Sequence, residues 1–83
     1  RLKRVHIDLN LKELNEEWVN SIEDAINSSK GKVGLTIDIY DGATKVVMPS
    51  RNSHVEVSNE FIEKLEELCQ PGVANYRFDI DRG

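Results

Sequence analysis

Val5, Ile7 and Leu9 alternate with Arg4, His6 and Asp8, a period of two that predicts a strand with one buried face. The period then changes. Asn15 can cap a helix whose first turn holds Glu16 and Glu17 at the positive end of the helix dipole, with Trp18, Val19, Ile22, Ala25 and Ile26 on one face. Gly31 is expected to end that helix. Val33, Leu35, Ile37 and Ile39 alternate with Gly34, Thr36, Asp38 and Tyr40, which predicts the longest strand of the chain. Asp41-Gly42 supplies the positive backbone angles of a tight hairpin, so residues 44 to 48 should return antiparallel until Pro49, which lacks a ladder donor.

Past the polar loop PSRNS, Val55 and Val57 point inward as a short fourth strand. At Ser58 the spacing becomes helical, because Ser58 can cap a helix that buries Phe61, Ile62, Leu65, Leu68 and Cys69 and turns Glu60, Glu63, Lys64, Glu66 and Glu67 to water. Gln70-Pro71-Gly72 stops it, and Tyr76, Phe78 and Ile80 form a last strand backed by Arg77 and Asp79. The order β-α-β-β-β-α-β, with two β-α-β units of right-handed crossover, puts both helices on the same face of a mixed sheet. The expected class is α+β, a two-layer sandwich that is ferredoxin-like with an extra strand.

At 83 residues the chain makes one domain with a thin core, residues 1–83 in full. It starts at Arg1 and opens and closes on strands, so it is read as an interaction domain excised from a longer chain. The apolar fraction of 39% and charged fraction of 31% suit a folded, water-facing domain rather than a disordered one. No apolar run is long enough to span a bilayer and no signal-peptide segment opens the chain, so a cytoplasmic location without membrane contact is expected. The formal charge is −4, with 15 acidic and 11 basic residues, which serves phosphate backbones poorly; no direct nucleic-acid partner is expected.

Catalytic chemistry has little to stand on. His6 and Asp8 share an outward strand face, but no nucleophile follows them, and a solvated surface pair is the better reading. His6, His54 and Cys69 lack metal-ligand spacing, and lone Cys69 falls on a buried helical position. The acid runs NEEW and EKLEEL follow no calcium-loop order and read as solvated helix faces with a Glu60–Lys64 pair. GKVG at residues 31 to 34 leads into a strand, where a phosphate loop leads into a helix, and Arg51 in PSRNS reads as part of a plain loop. No cofactor or metal is expected.

The succession of a strand, a helix ending in KGK, the strand VGLTIDIYD, the return KVVM, then VEVS leading into NEFIEKLEEL and a final strand resembles one family over nearly the whole chain. It is similar to the extreme C-terminal domain of the bacterial replicative DNA polymerase III alpha subunit, especially its Bacteroidetes-type forms. The family pattern falls on Gly31 with Leu35 and Ile37, on Val55 to Ser58, and on Leu65 and Leu68. The resemblance implies a non-catalytic domain that follows an OB-fold domain in the same chain and docks the tau subunit of the clamp loader. It also implies that docking falls on the elements carrying Val55 and Val57 and carrying Phe78 and Ile80. A physical reading agrees for a strand at a sheet edge, whose unpaired backbone invites strand addition, although inward alternation usually means burial. The rival class is a small-molecule regulatory domain of ACT type, disfavoured because LNLKELNEE holds no glycine between first strand and helix.

Overall fold

The computed structural model describes residues 2–46 and 52–80. The chain runs β1 (Leu2–Asn10), a 3-10 turn (Leu11–Glu13), α1 (Glu16–Ser28), β2 (Lys30–Asp41), β3 (Thr44–Lys45), β4 (Asn52–Val55), α2 (Asn59–Leu68) and β5 (Ala74–Ile80). This is the order the periodicity predicts, built as a mixed five-stranded sheet with two helices. β3 is followed to Lys45, and Val46 N donates to Ile39 O at 2.8 Å. Its expected continuation to residue 48, the stop at Pro49 and the loop at Arg51 lie outside the described residues, while Asn52 and Ser53, expected in that loop, already belong to β4.

Strand order, which periodicity leaves open, is set by pairing. β1 and β2 are direct parallel neighbours, from Arg4 opposite Gly34 to Asn10 opposite Tyr40. β5 lies antiparallel on the other side of β1, with Val5 opposite Phe78 and Ile7 opposite Tyr76. The outer edge of β2 is shared, β4 pairing along residues 30 to 36 and β3 at Tyr40 and Asp41. Gly42, at φ 63°, is the turn residue of the β2–β3 hairpin, as Asp41-Gly42 predicts.

Both helix starts follow their capping residues. Asn15 Oδ1 accepts from Trp18 N at 2.8 Å, and Ser58 Oγ accepts from Phe61 N at 3.2 Å. One apolar cluster joins both helices to the sheet: Val5, Ile7 and Leu9 of β1, Trp18, Ile22 and Ala25 of α1, Phe61 and Leu65 of α2, with Leu35, Val55 and Ala74. Leu68 and Cys69 pack against it, while Ile62, expected on the same stripe, is only half-buried. The Trp18 indole Nε1 donates to Leu68 O at 2.9 Å, so it fills the interior and also satisfies a carbonyl at the end of α2 that no helical donor reaches. At the opposite end of the sheet connections, Asn10 N donates to Val73 O at 2.9 Å and Asn10 Nδ2 to Gly72 O at 3.0 Å, tying the end of β1 to the turn before β5.

Two expectations are corrected. Gly31 does not end α1: the helix is capped at Ser29 and β2 has already begun at Lys30. Glycine is required there because β4 approaches closely; a Cβ on Gly31 would meet Glu56 N at 2.6 Å and the Val55 carbonyl carbon at 2.7 Å. The pairing bulges at that point, Lys30 and Val33 both facing Val55. Val57 is not in the fourth strand, which ends at Val55; Glu56 N turns to Ser29 O at 2.6 Å and Ser58 N to Glu56 O at 3.1 Å, leading the chain into the helix cap.

Gly31→Ala is therefore expected to lower stability by about 1–3 kcal/mol, because the added methyl presses on backbone that cannot rotate away. Urea unfolding measures it, and an unchanged midpoint would contradict the close approach.

Candidate partner-docking surface

β5 is the surface that the packing leaves open. It pairs with β1 alone, so the backbone groups on its outer edge have no ladder partner among the described residues. Its inward positions emerge progressively from under the helices: Ala74 is buried, Tyr76 half-buried, Phe78 40% exposed and Ile80 58% exposed. The Phe78 ring meets Tyr76 edge to face with centroids 5.5 Å apart, and the β1 residue beside it is fully buried Val5. Phe78 is thus the rim of the apolar interior, held in place on one side and wet on the other. On the opposite face β5 presents Asn75, Arg77 and Asp79, all exposed, with Arg77 Nε lying 4.0 Å from Asp8 Oδ2.

The four residues on which docking was expected do not form one surface. Val55 has no exposed area and stands opposite Val33 on the outer edge of β2. Val57, past the end of that strand, is half-buried against the same interior. Phe78 and Ile80 lie at the other edge of the sheet, with β1 and β2 between. Phe78 and Ile80 are the more open pair, while Val57 offers part of its side chain and Val55 none.

The other candidate groups are dispersed. His6 faces outward between Thr36 and Arg77; Asp8 stands opposite Asp38 on β2 and 4.0 Å from Arg77 Nε, with Oδ1 buried and lacking a hydrogen-bond partner among the described residues. His54 sits on the far side of β2 from His6, and Cys69 follows α2 on the helical side of the sheet. Among the described residues no three His, Cys, Asp or Glu side chains gather where a metal ion could be held. On the same open face Arg4 donates to Thr36 Oγ1 at 2.6 Å and Lys45 pairs with Asp38 at 3.3 Å.

One apolar feature escapes the alternation pattern altogether. A groove runs between α1 and the second half of β2, where apolar Leu14, Val19, Ile26, Ile37, Ile39 and Val46 are interleaved with polar Asn15, Glu23 and Asn27. Alternation marks those strand residues as inward but cannot say whether a helix reaches them. The relative lengths of strand and helix were the available signal.

Comparison with known protein families matches residues 5–71, most of the chain, to the DNA polymerase III alpha subunit, C-terminal domain. The chain belongs to that family. The match is to the family as a whole, without the Bacteroidetes-type subset, and it gives no support to an amino-acid-binding ACT domain. It runs from Val5 in β1 to Pro71, just past α2, so it takes in Val55 and Val57 and stops before β5 with Phe78 and Ile80. No curated protein and no solved structure is matched. No helix among the described residues of this polymerase domain is long and apolar enough to cross a membrane.

Burial pushes the Cys69 thiol up from 9.0 to about 11. A raised folded value means the unfolded chain loses this proton first. The stabilisation is whole below 9.0 and fades as pH rises through about 11. Urea midpoints of the polymerase domain should therefore fall more steeply across that alkaline window than those of Cys69→Ala. Superimposable pH profiles for the two proteins would rule out a desolvated thiol.

Proposed function

We propose that this domain is a non-catalytic attachment module of the polymerase alpha subunit, docking the tau subunit of the clamp loader through the free edge of β5. The reading rests on membership of the C-terminal-domain family of polymerase III alpha subunits. The exposed Phe78 and Ile80 beside an unpaired strand support the choice of surface, since strand addition combines backbone hydrogen bonds with pockets for alternate side chains. In this reading an OB-fold domain of the same chain is the other neighbour, replication is the process served, and DNA is gripped elsewhere in the polymerase.

Calorimetric titration of the chain with the C-terminal region of tau tests it. Saturable binding is expected, and Phe78→Ala should weaken it roughly tenfold or more, as for an aromatic anchor at an interface centre. The urea midpoint of that variant should fall modestly, by the equivalent of about 1–2 kcal/mol, because Phe78 is 40% exposed but still packs on Tyr76. Binding is therefore compared where circular dichroism shows the variant folded. Absence of binding by the parent chain would end the attachment reading; full affinity in folded Phe78→Ala would move the docking surface away from β5.

A further inference from the structure

The outer edge of β5 carries a sequence that is complementary to itself. Around Phe78 the order is Tyr76, Arg77, Phe78, Asp79, Ile80: apolar, basic, aromatic, acidic, apolar. We infer that this edge pairs with the β5 of a second copy of the chain, antiparallel and centred on Phe78, joining two sheets into one. This goes beyond the docking reading, since it requires no partner other than the chain itself.

The register follows from symmetry. A two-fold axis at Phe78 places residues equally far on either side opposite one another, so Arg77 of each copy faces Asp79 of the other, and Tyr76 faces Ile80. Alternation keeps facing residues on the same side of the joined sheet. Both charged pairs then lie on the open face, where Arg77 and Asp79 are exposed, and the apolar pairs with the central Phe78 pair lie on the helical side, where Phe78 and Ile80 are the large apolar residues most open to water on β5. Each facing pair is of a kind that stabilises neighbouring strands. Within its own copy Arg77 has only a loose contact, 4.0 Å from Asp8, and the nearest β1 neighbours of the pair are His6 beside Arg77 and Arg4 beside Asp79.

The other edge of the sheet does not offer this. It is divided between the two residues of β3 and the four of β4, with a bulge where β4 meets β2. β5 is a single strand of seven residues, five of which, Tyr76 to Ile80, enter the pairing; its own ladder with β1 shifts register where Leu2 and Arg4 face Ile80 and Asp79. The contact is nevertheless small, of the weak class that buries less than about 1,200 Å². A second copy and a docking partner would compete for the same edge.

Sedimentation equilibrium of the chain, with no other protein present, decides the matter. The average mass should rise from monomer towards dimer as concentration increases. Arg77→Asp sets two carboxylates against each other at both charged pairs, and Asp79→Arg sets two guanidinium groups against each other there, so each variant alone should dimerise roughly tenfold more weakly. An equimolar mixture of the two restores opposite charges at every position and should associate like the parent, as should the double variant R77D/D79R. Circular dichroism and urea midpoints confirm that each variant is folded. A parent chain that stays monomeric into the millimolar range, single variants that associate as well as the parent, or a mixture that does no better than its components would each overturn the pairing. None of these outcomes bears on whether tau binds.

Discussion

Parallel pairing of β1 with β2 is the constraint from which the rest of the fold follows. Parallel neighbours cannot be joined by a hairpin, since the chain must travel back the length of the sheet before it can run alongside itself again. Residues 11 to 29 make that return, and α1 is its means. The register sets Val5, Ile7 and Leu9 beside Leu35, Ile37 and Ile39, so one face of the paired strands is apolar and must be covered. The helix that makes the crossing covers it with Trp18, Ile22 and Ala25. A slip of one residue would turn that face to water and carry Arg4, His6 and Asp8 under the helices, where their charges would have no water to meet. The second helix and β5 are then placed against a platform already defined.

Coverage runs out because helices are short for their residue count and strands are long. The 13 residues of α1 span about 20 Å, and the 10 of α2 about 15 Å. The 12 residues of β2 and the 7 of β5 advance by about 3.3 Å each, more than twice the helical rise per residue. Central β1 keeps its three inward residues dry, while Ile37 and Ile39 on one flank are partly wet and Phe78 and Ile80 on the other are openly so. The groove beside β2 and the apolar rim of β5 are thus two results of a single mismatch, and β5 adds an unpaired backbone edge. A surface available to another chain arises here without any residue set apart from the scaffold.

That origin explains which parts of the molecule the sequence discloses. Caps and turns are local, so Asn15, Ser58 and Asp41-Gly42 mark their elements as a linear reading says they should. The class and the element order follow, because each depends on short-range period and punctuation. Gly31 misleads because a glycine past a helix has two physical uses, and the one that applies depends on β4 arriving within 3 Å from another part of the chain. Val55 and Phe78 look alike in alternation, both inward on short strands, yet one is sealed and the other 40% exposed. Strand order decides between them: Val55 faces Val33 and joins the core shared with the helices, and Phe78 sits on the last strand out. Pairing across the sheet is a long-range property, and no spacing within a strand encodes it.

Charge completes the division of labour between the layers. The helices carry Glu16, Glu17, Glu23 and Asp24, then Glu60, Glu63, Glu66 and Glu67, against the single base Lys64. On the open sheet face Arg4 is held by Thr36 and Lys45 by Asp38, while Arg77 lies loosely at 4.0 Å from Asp8. Phosphate binding draws its strength from a stripe of free protein cations that displaces the counterions condensed on the backbone. The remaining lysines, Lys3, Lys12, Lys30 and Lys32, are divided between β1, the 3-10 turn and the start of β2, and build no such stripe among the described residues. A helical layer of this sign repels a nucleic-acid backbone at the distances over which salt leaves charges visible to each other. Within a polymerase this arrangement supports the proposal that the domain works on proteins and leaves the DNA to the rest of the chain.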